Sequence, residues 1–121
     1  MSWWEEVDHF SPEEFACPCC GACEMKEEFV KWLDQVRSDL GSPIVIDSGF
    51  RCARRNKEVG GAPNSAHLRG MAVDIRAYGS EYRYRLFRVL LRRGAIRIGV
   101  SKTFIHVDMD ISLPHPVMWV Y

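Results

Sequence analysis

The sequence predicts an α+β fold, a small, mainly antiparallel sheet with helices packed against one of its faces. Three observations carry this. Apolar residues recur at helical spacing over residues 25–40 and again over residues 80–93. Short apolar or alternating runs stand at residues 43–48, 70–75, 96–100 and 103–109. The last two are joined by Ser101-Lys102 alone, a hairpin connection that makes at least this pair antiparallel.

Taken in order, Ser11-Pro12-Glu13-Glu14 reads as a helix start. Ser11 is the N-cap, Pro12 suits the first position, and Glu14 completes a capping box. That helix must be short, because a cysteine-rich loop with Pro18 and Gly21 follows at once. In residues 25–40, Met25, Phe29, Trp32, Leu33, Val36 and Leu40 share one face, and Gly41 supplies the stop. Residues 43–48 read as a buried strand ending at Gly49, and residues 52–59 as a short helix closed by Gly60-Gly61. Ala62-Pro63-Asn64-Ser65 is a loop that delivers His67 to the start of the next strand. There, alternation sends Met71, Val73 and Ile75 to one face and Ala72 and Asp74 to the other. Ser80 caps the helix over residues 80–93, with Tyr82, Leu86, Val89 and Leu90 inward and Gly94 closing it. In residues 103–109, Ile105, Val107 and Met109 point to the core, while Phe104, His106 and Asp108 project together from the opposite face. Beyond Pro114 and Pro116 the chain reads as a tail containing Trp119.

At 121 residues the chain is long enough for one domain with a real core and too short for two. Its 16 basic and 16 acidic residues cancel to a formal charge of +0, so nothing global points to nucleic acid or an anionic membrane as partner. Arg83, Arg85, Arg88, Arg92 and Arg93 read as the solvated face of an amphipathic helix. No apolar run reaches the length of a bilayer span, so no stable membrane insertion is expected. Residues 1–6 lack the basic start and apolar core of a signal peptide, which predicts synthesis in the cytoplasm without an export signal.

Five cysteines leave two readings open. Cys17, Cys19, Cys20 and Cys23 crowd into seven residues, and Cys52 stands apart. Such crowding is poor geometry for several separate disulfides. The set either binds a structural zinc through thiolates, with Cys52 as the distant ligand, or consists of reduced cysteines in a tight turn.

The chemistry concentrates at His67, Asp74 and His106. Two imidazoles and one carboxylate form a donor set that Zn²⁺ accepts, with a fourth position left for water. Each residue alone has an ordinary explanation as a hydrogen-bonded polar side chain. Together they fall on one predicted cleft face, where the small Ala72 leaves room for an ion.

Several segments carry a specific resemblance. They are Ser48-Gly49-Phe50-Arg51, Asn56, Val59-Gly60-Gly61, Ser65-x-His67-x-x-Gly70-x-Ala72-x-Asp74 and His106-Val107-Asp108. From about His9 to Trp119 the chain resembles the zinc D-alanyl-D-alanine carboxypeptidase family, which includes peptidoglycan endopeptidases and phage endolysins and shares its zinc-site fold with the hedgehog signalling domain. The resemblance implies one zinc metallopeptidase domain over residues 1–121, with His67, Asp74 and His106 as ligands and a peptidoglycan peptide as substrate. It implies that Arg51 binds substrate or stabilises the developing oxyanion, and that Ser65 hydrogen-bonds near the site or the substrate. The likeness to single-domain endolysins implies a monomer, with a holin-type pore as its route to the cell wall.

Relatives place Glu or Asp three residues before the last histidine, and here that position is Thr103. Asp108 is the nearest candidate carboxylate, either as general base or as the group that orients a ligand histidine. His115 is a weaker candidate in a proline-flanked tail. The rival readings are a non-catalytic zinc-containing module that binds the wall and a virion structural component. The absent acid at Thr103 is the first one's best support.

Overall fold

Two amphipathic helices, α1 (Glu27–Leu40) and α3 (Ser80–Arg92), cover one face of a five-stranded sheet in a computed structural model that describes residues 2–121. The strands are β1 (Ile46–Ser48), β2 (Ala72–Arg76), β3 (Arg97–Val100), β4 (Phe104–Asp108) and β5 (Val117–Val120), in the spatial order β1-β2-β4-β3-β5. A short helix, α2 (Ala53–Glu58), lies between β1 and β2. No helix among the described residues is long and apolar enough to cross a membrane.

The core forms where the helix stripes meet the inward residues of the strands. Val30, Leu33, Val36, Leu86 and Leu90 pack with Val73, Ile75, Ile98, Ile105 and Val107. Each fully buried Val, Leu or Ile among them contributes about 1.5–3 kcal/mol relative to exposure. Gly41 ends α1 in the left-handed conformation (φ 69°), which costs a residue without Cβ little. The fold is the expected α+β, with differences that have local causes.

The sheet is mixed. β5 runs parallel to β3, and the other pairings are antiparallel. The tail after Pro116 is therefore an edge strand, held by Val117 N–H to Ile96 O and Tyr121 N–H to Val100 O, both at 3.0 Å. β4 ends beside the start of β3, where Asp108 faces Arg97, so a short loop suffices to carry the chain past β3. Two prolines hide this strand in the sequence, because they read as breakers.

β1 is three residues long, lies at an edge and carries a register shift between Ile46 and Ser48, so it is not the buried strand over residues 43–48. His67 sits in a single 3₁₀ turn, Ala66–Arg69, and not at a strand start. The Ser65 hydroxyl accepts from His67 N–H at 3.2 Å and opens that turn, and Gly70 closes it at φ 69°. Gly79, not Ser80, occupies the N-cap of α3. The Ser11 start makes only a 3₁₀ turn, Pro12–Glu14, in which the Glu14 carboxylate accepts from Ser11 N–H at 2.8 Å.

Two close backbone approaches tie the N-terminal third to the segments that carry the chemistry. At Gly49 a Cβ would lie 2.7 Å from Phe15 Cα, and Phe50 N–H donates to Phe15 O at 2.8 Å. At Gly70 a Cβ would collide with the Glu24 carbonyl oxygen, and Lys26 N–H donates to Gly70 O at 3.0 Å. Gly70→Ala therefore combines left-handed strain with backbone overlap. It is expected to lower stability by about 2–4 kcal/mol, read as an earlier midpoint in urea denaturation. An unchanged midpoint would mean that the contact with Glu24 gives way freely.

Candidate metal centre

The sheet face turned away from the helices carries the polar residues, and register aligns them in rows. Asp74 on β2 pairs with His106 on β4, His106 with Gly99 on β3, and Gly99 with Trp119 on β5. One pleat further on, Ala72, Asp108 and Arg97 form the next row. Gly99 is a requirement of the first row, since a Cβ there would meet the Trp119 ring at 2.6 Å. Its absence lets the indole lie beside His106, ring centroids 5.4 Å apart.

His67 reaches this face from its 3₁₀ turn. Its Nδ1 lies 2.7 Å from Gly49 O, which can only accept, so Nδ1 carries the proton and Nε2 presents a lone pair. That Nε2 is 3.2 Å from Asp74 Oδ1. His106 is arranged the other way round. Its Nε2 donates to Asp108 Oδ2 at 2.6 Å, and its Nδ1 faces the same Asp74 Oδ1 at 3.0 Å. One donor atom from each of His67, Asp74 and His106 thus lies within 4.8 Å of the other two, and all three residues are buried.

This set fits a cation. Each ring has its far nitrogen occupied by an acceptor, the arrangement that points the near nitrogen's lone pair at a metal. Without a cation, protons must fill the space. Burial alone would lower the pKa of His106, but the Asp108 and Asp74 carboxylates beside it reverse this and raise it. Burial likewise works to raise Asp74, and the His106 and His67 contacts overcome it and hold the carboxyl well below its usual range. The donor chemistry, two nitrogens and one oxygen, suits Zn²⁺.

Around the three donors lies a cleft of about 670 Å³. Arg51, Ser65, His67, Asp74, His106 and Asp108, the residues singled out in the sequence, all line it. Arg51 is fixed by three contacts. Nε donates to Ser48 Oγ at 3.1 Å, Nη1 to Asn56 Oδ1 at 3.2 Å, and Nη2 to Asp74 Oδ2 at 3.1 Å. Asp108 is 1% exposed and accepts from His106 and from Arg97, whose Nε lies 2.9 Å from Oδ1. Thr103 and His115 are exposed and do not line the cleft, and His115 Nδ1 donates instead to Leu113 O.

Three cleft residues escaped the sequence reading. Arg97 joins Asp108 and also lies over the Trp119 ring, 5.0 Å from its centroid. Trp119 reads as part of a tail in the sequence but lies on β5 and lines the cleft. Tyr121 also lines the cleft, its ring lying against Phe104 and Trp119, with much of the residue exposed. Arg97 and Gly99 do alternate onto one face, but only the β3–β5 pairing reveals what that face meets. Of the arginines on or just after α3, several serve the fold. Arg83 donates to the carbonyls of Ala77 and Ser101, Arg85 to Ser42, and Arg93 pairs with Asp39.

A family model described as Peptidase M15 matches residues 8–108, a span containing every donor described above. No curated protein matches the chain.

The His106–Asp108 contact is expected to tune metal affinity. Asp108→Asn should weaken zinc binding at this centre by about 10- to 100-fold, measured by chelator competition and referenced to His67→Ala. Equal affinity in Asp108→Asn would show that the carboxylate does not orient the ring.

Proposed function

The chain belongs to the peptidase M15 family, and from that premise we propose that it is a zinc-dependent peptidase that hydrolyses peptide bonds in peptidoglycan stem peptides or cross-links, in the manner of an endolysin. The observation that carries this reading is the convergence of His67 Nε2, Asp74 Oδ1 and His106 Nδ1 in one cleft, with both imidazole tautomers set by outside acceptors. Zinc bound by these atoms would lower the pKa of a coordinated water toward about 7 and polarise a carbonyl oxygen.

The chain's own residues divide the remaining tasks. Asp108 holds the Nε2 proton of His106 and keeps that ring in the ligand tautomer. Of its two sequence-stated roles, orienting group and general base, the first accords better with its burial and its contacts to His106 and Arg97. Ser65 shapes the turn that presents His67. Arg51 has five N–H donors, and three are engaged by Ser48, Asn56 and Asp74. The other two are available to an oxyanion, on a guanidinium already fixed before substrate arrives. Arg97, braced by Asp108 and Trp119, adds a second cation to the cleft. Two guanidinium groups beside a metal centre suit a peptide that carries carboxylates, as stem peptides do. The phenol of Tyr121 is a further hydrogen-bond donor in the cleft.

One observation favours a second reading, a zinc-containing module that binds the wall without cutting it. Among the described residues lining the cleft the carboxylates are Asp74 and Asp108, and both are engaged by cationic or imidazole partners. Thr103 brings no acid to the cleft.

Incubation with purified sacculi separates the two. The peptidase reading expects soluble peptides whose release stops with chelator, returns with zinc and is absent in His67→Ala. Zinc-loaded protein that leaves every muropeptide intact would overturn the peptidase reading, and its co-sedimentation with the intact sacculi would support the binding module. Within the peptidase reading, Arg51→Lys should lower kcat/KM by about 10²–10³-fold while zinc content is retained, because one point charge replaces a fixed fork of donors. Full activity in Arg51→Lys would remove Arg51 from the reaction.

A further inference from the structure

A second donor cluster lies outside the cleft, on the other side of the segment that carries Arg51. The turn after Cys17 is tight: Gly21 N–H donates to Cys17 O and Cys17 N–H to Ala22 O, both at 2.7 Å. It folds the cysteines of residues 17–20 back toward Cys52, which is 35 residues further along the chain. One sulfur from each of Cys17, Cys20 and Cys52 lies within 4.8 Å of the other two. Cys19 precedes Cys20 in the same turn and is exposed, outside this group of three. Cys23 stands apart from this group and packs against the apolar core.

The separations discriminate between the chemistries open to thiols. Cys17 Sγ and Cys52 Sγ are 3.7 Å apart. A disulfide requires about 2.05 Å. Four sulfurs at about 2.3 Å from one tetrahedral zinc lie about 3.8 Å from each other, which matches the Cys17–Cys52 separation and the close approach of Cys20 to both. An iron–sulfur cluster spreads its cysteine sulfurs more widely, because several metal atoms lie between them. Cys52 Sγ accepts from Arg55 N–H at 3.4 Å.

We propose that Cys17, Cys20 and Cys52 bind a structural zinc ion, distinct from the His67/Asp74/His106 centre, with Cys19 of the same turn as its fourth ligand. Four thiolates close the coordination sphere, so this ion has no open position for water and no part in hydrolysis. It clamps the 17–20 turn to Cys52, next to Arg51 and three residues from Gly49, whose carbonyl holds His67. The clamp thereby complements the Phe15–Phe50 hydrogen bond in fixing the loop from which the cleft takes its arginine.

The test uses the full chain with His67→Ala and His106→Ala, which removes the first centre and makes the outcome independent of any peptidase activity. Purified under reducing conditions, this protein should hold about one zinc per chain. After cobalt exchange it should show thiolate-to-cobalt charge-transfer absorption. Adding Cys20→Ser, at an exposed turn position chosen to spare the fold, should weaken zinc binding by at least about 100-fold. Adding Cys23→Ser should leave affinity unchanged. The proposal is overturned by a folded chain, verified by circular dichroism, that holds no metal or holds iron. It is equally overturned by an intact mass two hydrogens short of the reduced chain, or by unchanged affinity in Cys20→Ser.

Discussion

The Asp74 carboxylate is the constraint on which the rest of this structure depends. It is buried, and it is approached by His67 and His106 through one oxygen and by Arg51 through the other. A charge in that position is costly unless every partner is in place, because the low dielectric that strengthens each contact also penalises each missing one. The carboxylate and its partners come from four stretches of chain: β2 itself, the loop after β1, the 3₁₀ turn and β4. No buried side-chain polar atom among the described residues lacks a hydrogen-bond partner. The fold therefore has to bring these stretches together accurately, and small changes in any of them are felt at the carboxylate.

Much of that accuracy comes from residues that contribute no chemistry. Gly49 and Gly70 let backbone segments touch, so that the N-terminal third braces the loop of Arg51 and the turn of His67. Gly99 leaves the space that the Trp119 ring fills beside His106, and Ala72 stands opposite Asp108 with no more than a methyl group. In each case a missing side chain, and not a present one, sets the shape of the site.

The sheet separates stability from chemistry. Alternation sends Val73, Ile75, Ile105 and Val107 into the helices and Asp74, His106 and Asp108 into the cleft, from the same two strands. Packing on one side holds the strands in register, and register on the other side sets the donor distances. A slip of one residue would exchange the two faces and lose both.

The amino-acid sequence by itself determined the α+β class, the two long helices, the opposite faces of β2 and β4, and the choice of Arg51, Ser65, His67, Asp74, His106 and Asp108, which meet in the cleft. Those features rest on local periodicity or on a dense motif, both of which survive without knowledge of the fold. The mixed sheet, the 3₁₀ turn at His67, and the places of Arg97, Trp119 and Tyr121 in the cleft were decided only by tertiary structure. β5 is short, proline-flanked and largely exposed, so its strand character comes from pairing with β3 and not from its own pattern. The same holds for the cysteines. Their crowding is plain in the sequence, but the 3.7 Å between Cys17 and Cys52 exists only because a turn and a distant loop are held face to face.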